Sequence, residues 1–308
     1  MNQLKGFLYG LATSVTFGLI PLFTLPLMQR GLHNESILFY RFLFATIALG
    51  IMLRIRRQDY RISRADLPIL GLLGLLYTGS ALFLLMGYDC MGAGVATTLH
   101  FTYPVFVTLI MLTAFHERTP LTTWLAIVLA VSGVAKLSLR GTELVLSPQG
   151  VAIVLLSAVC YACYIALVNR TRVRDMNSRK LAFYVFIVST LLFLLKALTS
   201  PAGLQPPTLG GPSSIALLVL LAVVPTVVSN ITLLQAVHRI GGTMTSVLGA
   251  LEPVTAVAIG VCLFGEAFTL SECVGIGLII AAVMLVILSR PVQKHLSVAL
   301  RRIRPRHS

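Results

Sequence analysis

The sequence predicts an all-α polytopic membrane protein with about ten transmembrane helices in two inverted five-helix repeats. Two compositional facts indicate a membrane: 57% of the 308 residues are hydrophobic and 11% are charged, whereas a soluble protein has about 25% charged residues. A third observation indicates the repeat, because Gly92–Glu117 aligns without a gap on Gly241–Glu266 at an offset of 149. Too few charges are present to cover a water-facing surface, so we expect lipid around the chain.

Ten apolar runs approach the length that crosses a bilayer, which is about 20 helical residues. Pro68, Pro120, Pro148 and Pro212 stand where runs begin, a position at which proline loses no helical hydrogen bond. The ten predicted helices, in order, are Gly6–Met28, Ser36–Leu53, Leu67–Gly87, Ala93–Phe115, Leu121–Leu139, Gln149–Asn169, Arg179–Leu198, Ser213–Val237, Gly242–Phe264 and Ser271–Leu288.

The basic residues set the expected orientation. The formal net charge is +14, but the Lys and Arg residues cluster between apolar runs, which indicates topogenic loops and not nucleic-acid binding. Most of them fall on one side when the N-terminus is placed inside. We therefore expect a plasma- or inner-membrane protein with both termini in the cytoplasm and the Gly141–Pro148 linker outside. Residues 291–308 are read as a basic cytoplasmic tail, either lying on anionic lipid or disordered and topogenic.

The repeat extends over nearly the whole chain and predicts the domain organisation. Pro104 matches Pro253 and Glu117 matches Glu266 at the offset of 149, while the first two helices of each half match at an offset of 144. Residues 1–140 and 141–290 are therefore the two repeats. An odd number of helices in each half makes the second half enter the membrane from the opposite side. Such inverted repeats are typical of secondary transporters, which bind near the midplane at the repeat interface.

At this point the chain resembles the drug/metabolite transporter superfamily, of the EamA type. The residues that carry the resemblance are Asn230 with Leu233–Leu234, a loop at His238–Gly241, Ser246–Leu248, Leu251–Val254, Phe264–Glu266, Tyr103–Phe106 and Phe115–Arg118. The resemblance covers about Gly6–Leu288. It implies a secondary transporter that moves amino acids, other metabolites or drugs, often outward and without ATP. The first half departs from the second at one position, with Tyr103 where the second half has Glu252.

Glu252 is the central candidate, because an ionisable side chain at mid-bilayer depth costs roughly 2.5–3.5 kcal/mol or more. Thr245 and Gly249 share its helix face, and such small and hydroxyl residues suggest a cavity wall. The repeat brings the face with His100 and Tyr103 opposite. The predicted substrate-binding and coupling residues are Glu252, Asn230, His100, Tyr103, Tyr77, Thr226, Tyr161 and Arg41.

Each candidate also has a structural interpretation. Glu252 is either a coupling carboxylate or a protonated group in a helix–helix hydrogen bond. His100 is a proton relay or an ordinary hydrogen-bonded histidine. Arg41 contacts substrate, pairs with a carboxylate or snorkels outward, and the tyrosines bind or merely pack. Glu117 and Glu266 are read as residues that anchor loops.

Four prolines are candidate flexing points for alternating access, and Pro104, Pro253 and Pro21 are the predicted hinges among them. These three and Pro26 each free a backbone carbonyl inside a predicted helix. Neighbouring helices or cavity water can satisfy such carbonyls. The alternative is that these prolines form static kinks.

The sequence disfavours other classes of protein. It contains neither H-E-x-x-H nor a P-loop, which argues against a zinc protease and an ATP-driven pump. Cys160 and Cys163 are read as core-filling residues. We expect no metal, no cofactor and no enzymatic activity, and the partners are a small-molecule substrate and lipid. The fifth and tenth helices carry few polar groups, which fits a lipid or subunit contact, including a homodimer. A membrane-embedded enzyme and a non-transporting receptor or scaffold are the alternatives.

Overall fold

The computed structural model describes residues 2–114, 121–140, 143–144, 146–249, 251–266 and 269–285. These residues confirm the all-α prediction. The helices are α1 (Asn2–Gly18), α2 (Ile20–Gln29), α3 (Asn34–Ile55), α4 (Leu67–Cys90), α5 (Ala93–His100), α6 (Tyr103–Thr113), α7 (Leu121–Ser138), α8 (Pro148–Arg170), α9 (Ser178–Thr199), α10 (Ser213–Ala222), α11 (Ser229–Gly249), α12 (Leu251–Phe264) and α13 (Leu270–Leu285). The only strands in the described part are the two-residue pair β1 (Leu139–Arg140) and β2 (Glu143–Leu144), which are antiparallel.

All ten predicted helices have a counterpart among these elements. Seven segments are long and apolar enough to cross a membrane, with α1–α2 and α5–α6 each forming one segment. The other three predicted helices correspond to shorter apolar segments, which are Trp124–Lys136, Leu251–Phe264 and Leu270–Leu285. The protein is therefore a multi-pass membrane protein.

The two halves contact each other through equivalent residues. Phe42 of α3 and Phe186 of α9 are equivalent at the offset of 144, and their ring centroids lie 5.4 Å apart. Val154 lies against Gly87, and their equivalents Gly10 and Ala236 lie against each other as well. A residue can touch its own equivalent only near a symmetry axis, so the halves are related by a pseudo-twofold axis that passes between α3 and α9.

The predicted loop at His238–Gly241 is wrong, because the helical backbone of α11 runs through it. Ala236 and Leu248 nevertheless both lie against Gly10. A straight helix, rising about 1.5 Å per residue, would hold them about 18 Å apart. The α11 run therefore bends back on itself between these residues, and the reversal of the chain is made by helical backbone.

Three of the four candidate prolines lie in the first turn of a helix, whereas Pro26 lies inside α2. Pro21 and Pro104 are the second residues of α2 and α6, which follow breaks at Leu19 and at Phe101–Thr102. Pro253 is the third residue of α12. The missing N–H costs nothing in a first turn. A further proline that was not among these candidates, Pro225, lies in a π-helical turn, Val223–Val228, between α10 and α11.

The fifth and tenth predicted helices pack on each other at the edge of the described fold. On α7, Gly133 lies against Ile279 of α13, while Trp124 and Val131 are more than half exposed. This peripheral position agrees with the prediction of a lipid or subunit contact, and it leaves the other helices to enclose the centre.

Candidate functional site

A cavity of about 190 Å³ lies between the two halves. It is lined by Thr13, Ser14, Phe17, Ile20, Arg41, Tyr77, Ser80, Ala81, Leu84, His100, Tyr103, Tyr161, Leu233, Thr245, Gly249 and Glu252. The lining includes the equivalent pairs Phe17–Tyr161 and Tyr103–Glu252. The cavity therefore lies at the interface of the repeats.

Most of the predicted site residues meet in this cavity, but two do not. Those that line it are Glu252, His100, Tyr103, Tyr77, Tyr161 and Arg41. Asn230 instead turns back on its own helix, where its Nδ2 donates to the carbonyl oxygen of Thr226 at 2.5 Å. Thr226 is fully buried behind Arg41.

The first helix contributes a wall that the sequence reasoning missed. Thr13, Ser14 and Phe17 of α1 line the cavity together with Ile20. The sequence did contain a signal for this wall, since the offset of 144 makes Phe17 the equivalent of Tyr161. When two equivalent residues of the repeats line the same cavity, both of them must face the symmetry axis.

Glu252 lies in the first turn of α12 and lines the cavity. The positive end of the helix dipole favours a carboxylate at this position. Among the described residues the Glu252 carboxylate has no hydrogen bond and no ion pair within 4 Å. The described residues therefore do not contain the helix–helix hydrogen bond that was the structural alternative for Glu252. Its side chain faces the cavity and not lipid.

His100 ends α5 and is oriented by a serine. Ser157 Oγ donates its one proton to the carbonyl oxygen of Ser80 at 2.6 Å. The same Oγ lies 2.9 Å from His100 Nδ1, so it must accept from an Nδ1–H. This contact places a proton on Nδ1, and Nε2 makes no hydrogen bond to the described residues. Tyr103 and Tyr161, with ring centroids 4.8 Å apart, flank the imidazole.

Arg41 is buried, with 4% of its surface exposed, which contradicts the alternative in which it snorkels outward. Its Nε donates to Thr226 Oγ1 at 3.0 Å, and its guanidinium carbon lies 5.4 Å from the centroid of the Phe42 ring. No described carboxylate lies within 4 Å of it, so the alternative of an ion pair is not observed among the described residues either. Packing between α3 and the π-helical turn keeps this cation inside.

Glu266 anchors a loop, as predicted. Its carboxylate oxygens accept hydrogen bonds from the backbone N–H groups of Ala93 and Gly94 at 2.6 and 3.2 Å. These are unpaired donors at the start of α5, which a carboxylate stabilises. A side chain at Gly92 would collide with this carboxylate, since its Cβ would lie 2.7 Å from Oε2. The equivalent residue, Glu117, lies outside the described residues.

A family model and several relatives match this chain. The model of the EamA-like transporter family matches residues 4–139 and 148–288. The uncharacterized transporter YdfC of Bacillus subtilis is 24% identical over 81% of each chain. The uncharacterized transporter YcbK of the same organism is 26% identical over 81% of this chain and 82% of its own.

A Gram-negative relative and a solved structure extend the match. The uncharacterized inner membrane transporter YedA of Escherichia coli K12 is 24% identical over 86% of this chain and 82% of its own. A crystal structure superposes with a TM-score of 0.64 over 94% of this chain and 98% of that chain, at 17% identity. That likeness concerns the fold alone.

Proposed function

The chain belongs to the EamA-like transporter family and is a membrane transporter, and we propose that it exports a small organic solute by alternating access without ATP. The solute is an amino acid, another metabolite or a drug. The family and the transporter-named relatives indicate a transporter, not an enzyme. The outward direction follows the resemblance described above.

The observation that carries this proposal is the cavity at the repeat interface. Binding at such an interface is the arrangement of secondary transporters with inverted repeats. Drug-sized ligands occupy pockets of about 300–1,000 Å³, and the present cavity of about 190 Å³ suits a smaller solute. The tyrosines and His100 supply an aromatic wall with few charges.

Glu252 is the proposed coupling group. It takes a proton in one access state, and in the other it releases the proton or pairs with a cationic group of the solute. Only a difference in proton affinity between two states is needed for coupling. The titratable or charged groups that line the same cavity are Arg41, Tyr77, His100, Tyr103 and Tyr161. Glu252 is the only carboxylate in that lining, so among the described residues no second acid competes for this role.

The breaks between helices are the proposed flexing points of the conformational change. Pro21, Pro104 and Pro253 start helices next to cavity residues: Ile20, Tyr103 and Glu252. We propose that these joints flex while the two halves, residues 1–140 and 141–290, rock about the cavity. The exposed face of α7 is the proposed contact with lipid or with a second copy in a homodimer.

The proposed location is the plasma or inner membrane, with both termini and the basic tail, residues 291–308, in the cytoplasm. The name of the inner membrane relative YedA supports the location, and the distribution of Lys and Arg supports the orientation. The tail lies outside the described residues, as do Gly141, Thr142 and Val145 of the Gly141–Pro148 linker.

Flux in liposomes tests the proposed function. Purified protein is reconstituted and given a panel of labelled amino acids, other metabolites and toxic analogues. We expect at least one solute to exchange faster than in protein-free liposomes. A receptor or scaffold would bind a solute without moving it, and binding without flux across the whole panel would contradict the proposal.

A further inference from the structure

Arg41 is a cation in the membrane interior with no counter-ion among the described residues. Its exposed fraction is 4%, and it lies on the cavity that also contains Glu252. A buried charge without a partner is costly, and arginine does not escape the cost by losing its proton. Because no described carboxylate, Glu252 included, lies within 4 Å of Arg41, direct contact with a negative charge has to come from the contents of the cavity.

The guanidinium is held in one orientation by a single side chain. Thr226 Oγ1 donates its proton to the carbonyl oxygen of Leu221 at 3.0 Å, so it can only accept from Arg41 Nε, at 3.0 Å. The Leu221 carbonyl lies five residues back, as the π-helical turn at Val223–Val228 allows. Such turns occur frequently at functional sites.

The terminal nitrogens of Arg41 are left for a ligand. An arginine has five N–H donors, and Thr226 uses the one on Nε. The four donors on the terminal nitrogens have no acceptor among the described residues. These nitrogens are not among the buried atoms that lack a partner, so they remain accessible. They form the planar fork that binds a carboxylate through two parallel hydrogen bonds.

We propose that Arg41 binds the carboxylate of the transported solute, which rests on the proposed transport function and narrows its substrate class. Tyr77, Tyr103 and Tyr161 receive the apolar body of the solute. Glu252 on the same cavity repels a second negative charge. The substrates are therefore solutes with one carboxylate, either simple monocarboxylates or zwitterions whose ammonium group pairs with Glu252.

Matched probes test the chemistry on the wild-type protein. Thermal unfolding in detergent is followed with 3-phenylpropionate, 3-phenylpropylamine, L-phenylalanine and phenylsuccinate, and with hexanoate and hexylamine as an aliphatic pair. We expect the monocarboxylates or the zwitterion to raise the unfolding temperature, the amines to have no effect, and the dicarboxylate to bind at least about tenfold more weakly. Equal stabilisation by amines, or none by any carboxylate, overturns the inference. A chloride salt that stabilises in place of carboxylates overturns it as well.

Three variants locate the effect at Arg41. R41Q removes the fork and abolishes carboxylate stabilisation, whereas R41K keeps the charge but loses the bidentate geometry, and weakens binding about tenfold or more. T226V leaves Arg41 in place and removes both the acceptor of its Nε and the hydroxyl donor to the Leu221 carbonyl, with a loss of about tenfold. T226V and the wild-type probes decide the question if R41Q does not fold. Carboxylate binding that survives in R41K, R41Q and T226V contradicts the proposal.

R30Q is the matched control, because Arg30 donates to Ser213 and Ser214 away from the cavity. It should bind carboxylates like the wild type. The binding readout also separates this inference from the transport function. Carboxylate binding through Arg41 without any flux would contradict transport alone, whereas flux of amines that is independent of Arg41 would contradict this inference alone.

Discussion

The hydroxyl oxygens of Thr46 and Thr190 lie 3.5 Å apart, and the two residues occupy equivalent positions of the two repeats. Their separation in the sequence equals the offset that relates the first two helices of each half. Phe42 and Phe186, one turn away, make the same kind of contact. The crossing of α3 and α9 therefore lies on the pseudo-twofold axis, beside the cavity that both halves line.

A disulfide across this axis is the first prediction. In a variant whose five cysteines are replaced by serine, T46C/T190C should crosslink on mild oxidation, because the two side chains approach within the range that a disulfide needs. Cleavage between α7 and α8 followed by gel electrophoresis detects the crosslink. I47C/T190C is the control, since Ile47 is 49% exposed and faces away. A crosslink in the control alone would contradict the axis.

The second prediction concerns proton coupling. E252Q keeps the shape of Glu252 but cannot titrate. We expect it to abolish accumulation of solute driven by a pH gradient, while exchange of solute without a gradient survives. Both are measured in liposomes with an imposed pH difference.

E35Q is the control for that experiment, because Glu35 forms a partly exposed ion pair with Lys196 at 3.3 Å. It should accumulate solute like the wild type. If E252Q still accumulates solute at the wild-type level under a pH gradient, Glu252 is not the coupling group and His100 becomes the next candidate.

The third prediction concerns the carboxylate that caps α5. E266A leaves the N–H groups of Ala93 and Gly94 without their acceptor, so it should lower the free energy of unfolding by about 2 kcal/mol. E266Q keeps one carbonyl oxygen and should lose less. Thermal unfolding in detergent compares both with E35Q, whose surface ion pair is worth less than about 1 kcal/mol. A smaller loss in E266A than in E35Q would refute the capping role.

The fourth prediction concerns sidedness. Asp175 precedes α9 in a loop rich in arginine, and Ala202 follows α9 in an uncharged loop. Both are exposed. In the cysteine-free variant, D175C should react with a membrane-impermeant thiol reagent only after the membrane is opened, whereas A202C should react in intact cells. Equal accessibility of the two would contradict the predicted orientation.

The sequence by itself determined the class, the repeat and the central carboxylate. Apolar runs and sparse charges suffice for the class, since lipid tolerates few other solutions. Gly92, Pro104 and Glu117 have the same spacing as Gly241, Pro253 and Glu266, and this match indicates the repeat. Glu252 was identifiable because its charge is costly in an apolar run wherever the helix faces.

Only the tertiary structure decided which polar side chains face the cavity and which bond to their own helix. Thr226 lies in a π-helical turn that hydropathy does not reveal, and Asn230, which follows that turn, bonds to its backbone. Arg41 would look the same in the sequence whether it snorkelled or lay inside. The hydroxyl of Thr226 and the packing around it hold Arg41 inside. The orientation of a side chain depends on partners that are distant in the sequence, whereas the cost of a charge in lipid depends on the charge alone.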